Sequence, residues 1–209
     1  MIDDEPERGE IDLTDPVSDC LSVTGTTAGA ATLQDLATHH AGYPALGAGT
    51  FHRAIWKMPL GLDVLDTSRD DVLQEIRDTE PDGRGTYAYS NLGAAAAGQA
   101  AAAAAGMTYP DLMRTRLFAP LGMSHTLAQT TALVDGGEAT MGRPVHNPGR
   151  WTGAPAGAVV STAKDMSGLA LAVLQGTAPG LNAMTPPPPP TPTTPGLGSS
   201  GTPPAGPTA

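Results

Sequence analysis

The stretch Tyr87-Ala88-Tyr89-Ser90-Asn91-Leu92-Gly93 sets several reactive polar side chains between a glycine-bounded turn and an alanine-rich run. Tyr89 and Asn91 are two apart, with one small residue between them. In a turn, or in the first turn of a helix, both can face one cavity. A phenol donates, accepts or shuttles a proton, and a carboxamide holds a substrate carbonyl or amine. The plainer reading is a helix-start tyrosine and a capping asparagine. A second pattern, Ser161-Thr162-Ala163-Lys164, fits S-x-x-K. On a helix that spacing brings an amine to a hydroxyl it can activate. Two fixed residues in four arise easily by chance, and a helix-capping box accounts for the same residues.

Other reactive side chains lack company. His39 and His40 are adjacent, and neighbours on a helix point apart. No acid or cysteine cluster supports them, so no metal site is expected. His52, His125 and His146 have no ligand spacing. Cys20 is the single cysteine, which excludes an internal disulfide and a multi-cysteine metal site. It reads as a small buried or half-buried residue.

These residues need elements to position them. Thr32-x-x-Asp35, Ser68-x-x-Asp71, Thr108-x-x-Asp111 and Thr162-x-x-Asp165 repeat one spacing. Each puts a hydroxyl at a possible N-cap and an acid three residues on, where it favours the positive helix end. The spacing predicts helices near 33–39, 69–78, 109–118 and 163–175. The third carries Pro110 in its first turn, where proline is tolerated, and stops before Pro120. Residues 92–105 predict a fifth helix, alanine-rich enough to approach a neighbour closely, with Gly106 ending it. Residues 22–31 read as loop, as do 129–155. Strands are scarce, although 156–160 is short, apolar and suited to extended backbone.

Composition narrows the class. The 209 residues suit one domain and a tail. A net charge of −10 argues against a nucleic-acid binder or a polybasic membrane-surface protein. No stretch of about 18 apolar residues is present. Met1 is followed by Ile2-Asp3-Asp4-Glu5, acidic where an export signal is basic and then apolar. From Pro186 onward the chain is proline-rich and uncharged, so 181–209 reads as a disordered tail and 1–180 as the domain.

Several stretches together resemble one family. Gly85-Thr86-Tyr87-Ala88-Tyr89-Ser90-Asn91-Leu92-Gly93 looks like the Y-x-N region of the class C β-lactamase and penicillin-binding-protein superfamily. The run Gly9 to Val17 resembles the family segment just after its nucleophile helix. The run Thr32 to Pro44 resembles its "T-L-x-D-L-L-T-H-T-S-G" segment. Phe118-Ala119-Pro120-Leu121-Gly122-Met123-Ser124-His125-Thr126 resembles "F-x-P-L-G-M-x-x-T", and Pro155 to Met166 resembles "A-G-G-L-x-S-T-A-x-D-M". The resemblance covers roughly residues 8–176.

That resemblance implies an α+β fold of the serine β-lactamase and DD-peptidase type. Here it is mainly the helical part, with most of the antiparallel sheet missing. It implies Tyr89 as proton shuttle and Asn91 as a contact to the substrate amide. The family order is S-x-x-K, then Y-x-N, then a K-T-G-like strand. Ser161 and Lys164 lie after Tyr89, where the family starts a structural helix, so they are a decoy. The expected S-x-x-K should precede Glu10, and the expected K-T-G-like triad should follow the last helix. Neither is present, and no Lys, Arg or His follows Lys164. The expectation is a fragment of a serine hydrolase of β-lactams, D-Ala-D-Ala peptides or esters, inactive alone. No cofactor is implied, and the substrate is a small molecule or a peptidoglycan peptide. Family resemblance implies an extracytoplasmic location. The alternative is a non-catalytic peptidoglycan- or peptide-binding module that retains the cleft.

Overall fold

The computed structural model describes residues 9–57, 59, 69–128, 156–157 and 159–180. The expected loop at 129–155, the cap at Ser68 and the tail at 181–209 lie outside these residues. The described part is helical: α1 (Val17–Cys20), a 3₁₀ turn (Ala28–Ala30), α2 (Leu33–Ala37), α3 (Ala48–Lys57), α4 (Arg69–Arg77), α5 (Asn91–Ala104), α6 (Tyr109–Met113) and α7 (Ala163–Leu174). A π-helical turn, Arg114–Phe118, extends α6 to the limit that Pro120 sets.

The hydroxyl caps hold where they are described. Thr32, Thr108 and Thr162 each accept from the amide three residues on, those of Asp35, Asp111 and Asp165. Each satisfies one of the amides a helix start leaves unpaired. One boundary differs. Helix α2 ends at Ala37, and His39 beyond it takes a left-handed φ of 61°. His39 and His40 therefore do not lie on a helix, and the helical rule that points them apart does not apply. Both rings instead approach Tyr87.

Helix α5 is the hub. It packs against α1, α2, α4 and α6. Nearly its whole circumference is buried, from Leu92 through Ala102, and the side chains buried are mostly methyl groups. Small side chains let neighbouring backbones come close on several sides. One apolar cluster lies along its first part, with Val17, Leu33, Leu36, Val72, Leu73 and Ile76 at full or nearly full burial. The other follows its end, with Tyr109, Leu112, Phe118 and Met123. Burying one Leu or Ile contributes about 1.5–3 kcal/mol, so these few large residues supply much of the packing energy. Burial pushes the Tyr109 phenol up to about 12. Burial also pushes up Tyr43, whose hydroxyl donates to the Ala28 carbonyl at 2.9 Å.

Two contacts tie distant segments. Arg116, 8% exposed, makes a fork of hydrogen bonds to Glu10 at 2.7 and 2.8 Å. Arg77 donates twice to the Ser22 carbonyl, at 2.7 and 3.0 Å. Among the described residues, extended pairing is limited to two isolated antiparallel bridges, Pro16 with Thr32 and Leu127 with Val160. The second realises the extended backbone expected near 156–160, at Val160 alone. Cys20 is half-buried; burial, with Asp15 and Asp19 nearby, raises its thiol.

Candidate active site

The site is built where the chain entering α5 runs beside the chain leaving α2. The amides of Asp82, Gly85, Ala88 and Asn91 donate to the carbonyls of Gly42, His40, His39 and Ala45. Gly42 has no alternative here: its φ is 73°, and a Cβ would meet the Asp82 carbonyl oxygen at 2.6 Å. Gly83 and Gly85 also take positive φ, which turns the chain toward Tyr87.

Ser90 locks the junction. It is 2% exposed, and its hydroxyl donates to the Pro44 carbonyl at 2.6 Å. The same oxygen accepts from the Gly93 amide at 2.8 Å, making Ser90 the N-cap of α5. Asn91 is therefore not the cap; it is the first residue inside the helix. The spacing rule overlooked Ser90 because a glycine, and not an acid, stands three residues on. The hydroxyl followed by an alanine-rich helix was the available signal.

Fixing Ser90 aims its neighbours. The Tyr89 hydroxyl donates to Asn91 Oδ1 at 3.1 Å. The two residues singled out by spacing are thus brought together. Tyr89 is 57% exposed and Tyr87 is also exposed, so the phenols project from the surface. A cavity of ≈ 390 Å³ lies nearby, lined in part by Tyr43, Pro44, Glu75, Asp78 and Asp82. The lining of that cavity includes neither Tyr89 nor Asn91. The His39 ring sits against Tyr89, with centroids 4.7 Å apart and planes tilted by 47°. Its Nδ1 accepts from the Ser90 amide at 3.3 Å. Sequence reasoning weighed His39 only as a metal ligand and missed this contact.

Ser161 has different surroundings. It precedes the N-cap Thr162, outside α7, while Lys164 lies inside the helix and is exposed. The Ser161 hydroxyl pairs with Thr126 Oγ1 at 2.7 Å, and Thr126 donates to Asp165 Oδ2 at 2.9 Å. The His125 amide donates to the same carboxylate oxygen at 2.8 Å. Burial pushes the Asp165 carboxyl up, but the His125 amide, the Thr126 hydroxyl and their neighbours outweigh it and leave it below the usual carboxylate range. Ser161 is thus part of a polar clasp joining residues 125–126 to the start of α7. Among the described residues, no group of three or more His, Cys, Asp or Glu side chains is placed to hold a metal ion. Among the same residues, no helix is long and apolar enough to cross a membrane.

Solved structures share this fold. A class C β-lactamase from Rhodobacter sphaeroides superposes with a TM-score of 0.64 at 29% identity, over 87% of this chain and 50% of that one. Another class C β-lactamase gives 0.65 at 21% identity over 88% of this chain and 50% of that one. A class C β-lactamase mutant gives 0.65 at 21% identity over 88% and 51%. The chain spans about half the length of each. No curated protein sequence matches it. The family model described as Beta-lactamase matches residues 2–207, and by that match the chain belongs to the β-lactamase family.

Proposed function

We propose that the chain is part of a β-lactamase-related serine hydrolase, carrying the proton-relay portion of an active site completed by other polypeptide. The observation that carries this reading is the Tyr89 hydroxyl resting on Asn91 Oδ1 at 3.1 Å. Tyr89 is the relay and Asn91 the contact to the substrate amide. In the acyl-transfer step a serine Oγ bonds the substrate carbonyl carbon and gives up its proton to the relay. The bond from that carbon to the leaving nitrogen or oxygen breaks, and the leaving atom takes a proton from the phenol. Water then hydrolyses the serine ester. The oxyanion needs preorganised backbone amides, one from the nucleophile and one from the K-T-G-like strand. Both belong to motifs not found in this sequence.

The substrate class is a β-lactam, a D-Ala-D-Ala peptide or a small ester, met outside the cytoplasm. The chain by itself is inactive in this reading, because a proton relay without its serine has nothing to activate. Removing a nucleophile from a working triad costs about 10⁶ in rate. Covalent labelling of the purified chain with a fluorescent β-lactam or a fluorophosphonate tests this. The expected result is no labelled band. A band lost on Ser161→Ala would make Ser161 a nucleophile and overturn the reading.

A further inference from the structure

We infer that His39 is the positioning residue of this site, holding the Tyr89 ring with its imidazole ring and the Ser90 amide with its Nδ1. The inference rests on the reading of Tyr89 as the relay phenol, and goes beyond it by assigning what aims that phenol.

The backbone argument comes first. Four segments end in the same paired bonds, in which a left-handed residue and its successor donate back to the preceding turn. At the end of α5, Gly106 donates to Ala103 and Met107 to Ala102. At the end of α7, Gly176 donates to Val173 and Thr177 to Ala172. After the π turn, Gly122 donates to Ala119 and Met123 to Phe118. At the end of α2, His39 donates to Leu36 and His40 to Asp35. The first three put glycine at the left-handed position, with φ between 63° and 72°. The fourth puts histidine there at 61°, the only non-glycine residue with positive φ among those described. An L side chain is strained in this region, and glycine is not. The turn itself gains nothing from histidine over glycine.

What the side chain adds is contact with the site. The ring lies 4.7 Å from the Tyr89 ring, centroid to centroid, and 6.0 Å from Tyr87 in an edge-on arrangement. The Ser90 amide can only donate, so Nδ1 faces it as an acceptor and the ring proton sits on Nε2. The His39 carbonyl accepts from the Ala88 amide at 2.9 Å. One residue therefore grips the chain on both sides of Tyr89, at Ala88 and Ser90, and sets its ring against the phenol between them.

The test uses the whole chain labelled with 3-fluorotyrosine. Its four tyrosines give four fluorine resonances, and Tyr89→Phe assigns the relevant one. His39→Gly keeps the left-handed turn but removes the ring. The expected result is an unchanged or higher melting temperature, a Tyr89 resonance moved toward that of free fluorotyrosine, and Ser90 amide exchange faster by about tenfold. His39→Asn tolerates the left-handed backbone and offers an oxygen acceptor near the Nδ1 position. It should restore Ser90 protection and leave the Tyr89 resonance shifted. A His39→Gly chain whose Tyr89 resonance and Ser90 exchange match the parent overturns the inference. So does a loss of global stability that accounts for both changes. These readouts need no activity, so they stand apart from the labelling experiment that decides the relay reading.

Discussion

Asp165 shows how one side chain joins a helix start to the loop before it. Its carboxylate accepts from the His125 amide and the Thr126 hydroxyl, while its own amide donates to Thr162. Its folded carboxyl lies below the ordinary value near 3.9. The carboxylate therefore contributes stability that is fully present above about pH 4 and is lost as pH falls through the folded value. Melting temperatures from pH 6 down to pH 2.5 should show the parent dropping more steeply than Asp165→Asn below pH 4. Parallel curves would remove the carboxylate from the clasp. At this scale the sequence spoke clearly for Thr32, Thr108 and Thr162, because a hydroxyl and an acid three apart report a local geometry. It did not show the bond that His39 accepts, because the donor, the Ser90 amide, lies 51 positions away.

Elements were legible where their signals are local. The helices beginning at Leu33, Arg69, Tyr109 and Ala163 were readable from cap spacing and proline stops, and α5 from alanine propensity. Helix α3 was not, because it opens on Ala48-Gly49 with no cap pattern, and its anchor lies elsewhere. The Thr50 hydroxyl donates to Glu75 on α4 at 2.8 Å, and Arg53 pairs with the same carboxylate at 3.0 Å. The π turn was invisible too, since one extra residue per turn leaves no mark on composition. The alanine character of α5 was legible, but the number of helices it serves was not. Ala100 is fully buried in the first cluster. Ala100→Leu should destabilise the chain by about 1–3 kcal/mol through overpacking, read from urea unfolding. A neutral result would mean that α5 has room its neighbours do not fill.

The whole molecule is held by ties between residues far apart in sequence. Arg116 meets Glu10 across 106 positions, with the guanidinium 8% exposed. Glu10→Ala strips a carboxylate partner from a buried charge, and should cost about 3 kcal/mol of unfolding free energy. The Glu10→Ala, Arg116→Leu double variant should recover part of that loss, since the buried charge goes too. Equal losses in both variants would show that packing, and not charge, sets the cost. The family was legible because its marks are short stretches in a fixed order, each tied to a turn or cap. The contact of His39 with Tyr89 was not, because it joins segments remote from each other in sequence.

The amides of Asp82, Gly85, Ala88 and Asn91 bond to carbonyls between His39 and Ala45. This has a meaning for how such a chain can be inherited. The phenol and its support are encoded apart, so recombination between the two stretches would join a phenol from one parent to a brace from another. Crossovers before His39 or after Asn91 keep the pair together. Gene shuffling among relatives should therefore return folded, correctly braced offspring from those outer break points far more often than from the inner ones.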